Sequence, residues 1–176
     1  MSRPRIILAL LGLLLAATVL ITPLIGTSGA PLGQVLWTIR APRLVMAMLA
    51  GAALSLAGMI FQAMFRNPLA TPFTLGVASG ASLAAAVAIR LQLGGWWWAV
   101  SARTSFAFAG AMLTVLAVYG IARARRGFST ATLLLAGVSI AFLCSAGIVL
   151  LEYLSQEHEA TAIIRWLMGS VEVVGH

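Results

Sequence analysis

Few side chains in this chain can do chemistry, and their spacing excludes most reactions. Of 176 residues, 11 are basic and four are acidic, and every one of these is arginine or glutamate. The histidines are His158 and His176. Glu157, His158 and Glu159 are adjacent, so they cannot all share one helical face, and they read as a solvated turn rather than an acid–base or metal-ligand set. Without a lysine the chain cannot build the phosphate loop of an ATPase, so energy from ATP would have to come from a partner. Cys144 lies inside an apolar run, which leaves no disulfide and no thiolate metal site to draw. No catalytic residues, no metal site and no directly bound cofactor are expected. The arginines stand out instead, above all Arg40 and Arg43, which bracket Pro42.

The elements that carry these residues follow from composition. The chain is 61% hydrophobic with a mean hydropathy of +1.04 and is only 9% charged, where a soluble domain has about 25% charged residues. The bilayer is its solvent. The net charge of +7 comes from arginines set singly or in small groups between apolar runs, without the basic stripe and interleaved aromatics of a nucleic-acid binder. Five runs approach the length of about 20 residues that spans a membrane: from Ile6 to Ile25, Pro42 to Phe65, Pro72 to Ile89, Ser105 to Ala122 and Ala131 to Leu154. Runs this long without period-two alternation exclude strands, because unsatisfied backbone groups are too costly in lipid. The fold class is therefore all-α, a polytopic membrane helical bundle. Pro42 and Pro72 suit first helical turns, with Thr71 as a cap. Pro68 turns Asn67 away from helical geometry, so the second span should stop near Arg66. Arg3 and Arg5 before an apolar stretch imitate a signal peptide, but the run exceeds the core of about 7 to 15 residues such a peptide has, so the first span should be retained.

Orientation rests on the arginines. With the amino terminus inside, Arg3, Arg5, Arg66, Arg123, Arg125 and Arg126 are cytoplasmic, and Arg40, Arg43, Arg90, Arg103 and Arg165 are external. The cluster from Arg123 to Arg126 favours this arrangement, and Trp37, Trp96, Trp97 and Trp98 then lie at the outer interface as belt anchors. Arg40 and Arg43 break two rules. They place positive charge on the side poor in it, and at a helix start, where the dipole disfavours a cation by about 0.3–1 kcal/mol. Such breaches accompany functional sites. The residues alone leave two readings open, docking of an acidic partner and snorkelling onto lipid phosphate.

Small residues recur every four positions: Ala47, Gly51 and Ser55; Gly76, Gly80, Ala84 and Ala88; Gly137, Ala141 and Ser145. They stack on single helix faces and let backbones approach closely in lipid, so they read as packing surfaces.

The segment RAPRLVMAMLAGAALSLAGMIFQAMFRNPLATPFTLGVASGASLAAA resembles the permease subunits of the iron-siderophore and cobalamin ABC importers, which carry an RLPR stretch, a GAALALSG-like helix, an NPLA turn and a GVSSGA-like helix start. STATLLLAGVSI and IIRWLMGS resemble later segments of the same family. The resemblance implies a ten-helix family fold of which this chain is the amino-terminal half, a single transmembrane permease domain over 1–176 ending before a sixth span. It implies that Arg40 and Arg43 lie on the periplasmic side and pair with acidic groups of a substrate-binding protein. Asn67, Leu69 and Thr130 would belong to a cytoplasmic gate, and the stretch from Ala160 to Met168 to a short helix at the outer mouth of the path.

The partners so implied are a second permease subunit, identical or not, two cytoplasmic ATPase subunits that use ATP, a periplasmic or lipid-anchored substrate-binding protein, and membrane lipid, with no nucleic acid. The implied location is the bacterial inner membrane, multi-pass, and the implied role is that of a transport subunit rather than an enzyme. Ferric siderophore is the favoured cargo, with haem and cobalamin behind it. A five-span scaffold or assembly protein is the alternative; a membrane enzyme would need ionisable residues clustered within the spans. A reporter fused after Arg126 is expected to be cytoplasmic and one fused after His158 external. Activity outside at the first site or inside at the second would overturn this topology.

Overall fold

The computed structural model describes residues 3–25, 32–68, 70–93, 96–97, 100–124 and 129–169. They are almost entirely helical, and they divide into two compact units whose boundary falls after Ala53.

In the first unit, α1 (Arg3–Ile21) is apolar on all sides and exposed along its length, as suits a helix solvated by lipid. It passes into a 3-10 turn at Thr22–Leu24. The next helical run starts earlier than Pro42: α2 (Leu32–Val35) continues through a π-helical turn (Leu36–Arg40) into α3 (Ala41–Phe65). Proline has no N–H, and its ring crowds the carbonyl four residues back. The wide turn absorbs this, with the Ala41 N–H donating to the Leu36 carbonyl five residues earlier. Pro42 thus lies within a helix, and the expectation of an unfavourable helix start beneath Arg40 and Arg43 is corrected.

The end of α3 agrees with the Pro68 argument. Arg66 turns left-handed at φ 48°, its N–H donates to the Ala63 carbonyl at 3.3 Å, and the Asn67 N–H reaches back to Gln62 at 3.2 Å. This is the paired closure by which a helix satisfies its last carbonyls, here with arginine where glycine is usual.

The second unit, from Leu54 onward, departs from expectation at the third span. Pro72 opens only a 3-10 turn (Pro72–Leu75), Thr71 makes no side-chain cap, and Gly76 turns left-handed at φ 71° before α4 (Val77–Arg90) begins. Instead the Thr74 hydroxyl donates to the Thr71 carbonyl at 2.6 Å. At 1.5 Å per residue α4 is about 21 Å long, short of the hydrocarbon thickness of about 30 Å. Among the described residues four helical segments are long and apolar enough to cross a membrane: α1, the π turn with α3, α5 (Ala102–Ala124) and α6 (Thr130–Leu154). Ser129 caps α6 by accepting the Thr132 N–H at 3.2 Å. Before α5 two short antiparallel strands, β1 (Trp96–Trp97) and β2 (Val100–Ser101), pair in a register that sets Trp96 opposite Ser101. They fall between the expected third and fourth spans. A short helix, α7 (Glu157–Met168), follows α6.

α4 is the centre of this unit, packed on α5, α6 and α7. Its buried residues are Gly80, Ala85, Ala86, Ala88 and Ile89, all but Ile89 small enough to let neighbouring helices approach closely. A methyl group added to Gly80 would strike the Thr114 hydroxyl and come within 2.9 Å of its Cβ and 3.1 Å of the Gly110 carbonyl. One on Gly110 would strike the Ala84 Cβ and lie 2.5 Å from the Gly80 carbonyl. Thr114 is buried, and its hydroxyl donates to the Gly110 carbonyl at 2.9 Å.

Gly110→Ala is therefore expected to destabilise the purified protein in detergent by about 1–3 kcal/mol through overpacking, because the obstacle is largely backbone. Gly120→Ala is the control on the same helix, since a methyl there meets nothing within 4 Å. Its melting temperature should be unchanged or raised, as alanine favours helix over glycine. Equal losses in the two variants would refute the close contact between α4 and α5.

Candidate functional site

Within the first unit, Arg40 and Arg43 line a cavity of about 310 Å³ together with Thr22, Pro23, Ile25, Leu44 and Ala47. The two arginines are not equivalent. Arg40, part-buried, donates from Nη1 to the Pro23 carbonyl at 2.6 Å, tying the turn after α1 to the π turn before α3. Arg43 is exposed. It stands in the first turn of α3, directly after the π turn that Arg40 ties to Pro23.

The turn after α3 is built from the closure described above. Asn67 is half-buried, and its carbonyl accepts the Ala70 N–H at 3.1 Å. Leu69 lies outside the described residues. Thr130 is exposed in the first turn of α6. Phe65 and Ala70 on either side of the turn, Leu75, Val118 of α5 and Ala136 of α6 form one buried cluster, with Leu133 packed against it. The asparagine turn and the opening of α6 are thus held by the same apolar patch.

The predicted packing residues separate into two groups. Gly76 and Gly137 meet each other: a methyl on Gly76 would lie 2.8 Å from the Gly137 carbonyl, and one on Gly137 would lie 2.5 Å from the Thr74 carbonyl. Gly80 belongs to the contact with α5 already described. Around Gly51 a methyl would meet nothing within 4 Å, and Ser55 is exposed.

The solvated turn expected at Glu157, His158 and Glu159 is corrected to a helix start and, at Glu159, to a buried carboxylate, while Glu157 and His158 are exposed as expected. These residues open α7, and Glu159 is only 3% exposed. Glu159 reaches back to the Gln156 N–H at 3.2 Å, while the Gln156 side chain takes the N–H of residue 159, a reciprocal capping box. Arg90 Nη1 stands 3.1 Å from each carboxylate oxygen, and the Gln92 amide donates to Oε1 at 3.4 Å. The hydrogen bond from the Gln156 backbone, with help from Gln92, Arg90 and nearby His158, holds the Glu159 carboxyl below its ordinary value despite the opposing effect of burial. It is charged at neutral pH. Sequence reasoning missed Arg90, Gln92 and Glu159 as a set. The local signal was present in a glutamine and a glutamate three apart before ATAIIRW, but their partner Arg90 is 69 residues away.

Among the described residues no group of three His, Cys, Asp or Glu side chains could hold a metal. The polar contacts described here join helices and turns to one another.

The FecCD transport family profile matches residues 5–175. The vitamin B12 import system permease protein BtuC of Salmonella paratyphi A is 41% identical over 136 residues, covering 76% of this chain and 40% of that protein. The corresponding protein of Citrobacter koseri is 41% identical over the same length, which is 39% of it. A solved structure described as an inward-facing ABC transporter of the metal-chelate type superposes with a TM-score of 0.78 at 31% identity, covering 96% of this chain and 54% of that one. The chain thus spans about 40% of the length of the curated relatives it matches. With a profile match from end to end and a shared helical fold at this identity, the chain belongs to the FecCD transport family.

Proposed function

We propose that this chain is part of the permease of an ABC importer that carries a metal chelate across the bacterial inner membrane, driven by separate ATPase subunits. The observation that carries the reading is the family match over residues 5–175, laid on helices of membrane length. The partners in this reading are a second permease subunit, two cytoplasmic ATPases and an external substrate-binding protein, with the amino terminus cytoplasmic. The described part of the path performs no chemistry; alternating access arises from movement of helix bundles around it. Identity of 41% to vitamin B12 permeases supports cobalamin as the cargo ahead of the ferric siderophore favoured on the breadth of the family. Membrane vesicles holding the chain with its partner subunits should take up cobalamin in an ATP-dependent manner and in preference to a ferric siderophore; the reverse preference would return the reading to siderophore.

In this reading the turn at Asn67 and Leu69 and the start of α6 at Thr130 form the cytoplasmic gate, and α7 stands at the outer mouth. The arginine pair docks the binding protein, with unequal shares. Arg43 presents its charge to a partner carboxylate, and Arg40 braces the turn beneath it through Pro23. In the assembled transporter Arg43→Glu should weaken binding-protein affinity at least about tenfold, which is about 1.4 kcal/mol, at normal membrane abundance. Like charges brought together at an interface can cost several kcal/mol, and an acidic-to-basic change on the binding protein should restore part of the loss. Arg40→Glu should lower abundance or thermal stability instead. Unchanged affinity for Arg43→Glu at normal abundance would remove the docking role.

A further inference from the structure

Among the described residues, two helices end on a left-handed residue that is not glycine, Arg66 after α3 and Gln92 after α4. At the second, the Gln92 N–H donates to the Ile89 carbonyl and the Leu93 N–H to the Ala88 carbonyl, both at 3.0 Å. Gln92 itself has φ 50°, a conformation glycine adopts freely and other residues resist. Only its side chain distinguishes it from the easier residue, and that side chain bonds Glu159, 67 residues further on.

The surroundings make this bond part of a larger one. A carboxylate removed from water needs its oxygens satisfied, and those of Glu159 are met by Arg90, Gln92 and the Gln156 N–H. One turn along, Ile163 is 1% exposed and packs with Ala86, Ile89 and Ile148. α7 is thus held at two points, one ionic and one apolar, and α4 supplies a partner at each.

We propose that Arg90 and Gln92 are positioning residues that lock α7 onto the C-terminal end of α4 through Glu159, so that the two helices move as one piece at the outer mouth of the transport path. The proposal rests on the reading of α7 as the helix at that mouth. The lock explains why a residue costly to the backbone stands at position 92. It also gives Glu159 two duties: capping α7, which a glutamine can perform, and pairing with Arg90, which a glutamine cannot.

The test uses the assembled transporter in lipid vesicles, with spin labels at exposed Ile164 of α7 and exposed Phe108 of α5. The parent should give one narrow distance distribution. E159Q, R90Q and Q92G should each broaden it, and R90K, which keeps the charge, should broaden it less than R90Q. Q92G is decisive, because a purely structural residue 92 would be improved by glycine at φ 50°, leaving α7 as fixed as before or more so. Loosened variants should also hydrolyse several-fold more ATP per molecule of cargo carried. A narrow distribution in R90Q or in Q92G would overturn the lock. A broadened distribution with normal coupling of ATP to transport would overturn the placing of α7 at the mouth, and with it the functional half of the proposal.

Discussion

The close approach of helix backbones along α4 is the contact on which the rest of the second unit depends. Between helices in lipid there is little hydrophobic drive, since the tails are as apolar as the side chains, so association relies on tight packing and on hydrogen bonds. Gly80 and Gly110 bring α4 and α5 so near that a single methyl on either would collide with the other helix. Thr114, buried at the same place, uses its hydroxyl on its own helix, bonding the Gly110 carbonyl, and so leaves no polar atom unmet in the contact. Gly76 and Gly137 make the equivalent approach to α6.

Because α4 is gripped on these sides, its two ends are fixed points. Near its start, Leu75 joins Phe65 and Ala70 in the cluster that supports the asparagine turn. Near its end, Ala86 and Ile89 receive Ile163 of α7, and Arg90 receives Glu159. The helix is too short to span a bilayer alone, but it connects a turn following one membrane-length helix with a short helix following another. Both candidate regions of this unit therefore depend on one short, small-residue rod.

Polar and proline chemistry supplies the exceptions to regular helix, each with a local cause. Pro42 is absorbed by a π turn rather than ending a helix. Arg66 and Gln92 close helices in a conformation that glycine usually provides. Arg40 ties down the first proline turn by donating to the Pro23 carbonyl.

Membrane class and most segment ends were legible in the sequence, because they depend on local properties: run length, hydropathy, and the backbone limits of proline. Of the five expected spans, four are helices of membrane length among the described residues and the third gives only the short α4. Pro68 stopped α3 as its chemistry requires. The small-residue stripes were legible as stripes but not as contacts. Gly51 and Gly80 sit in the same four-residue pattern, yet one faces open space in this chain and the other meets a buried threonine. Spacing says which residues share a helix face, not what lies opposite. Likewise Glu159 read as solvated because Glu157, His158 and Glu159, adjacent in sequence, cannot all share one helix face. Its burial was decided by Arg90, 69 residues away, as the bracing of Arg40 was decided by a carbonyl 17 residues away. A side chain's charge and its helix are local facts, but its partner is chosen by the approach of distant segments, which only the packing of the folded chain determines.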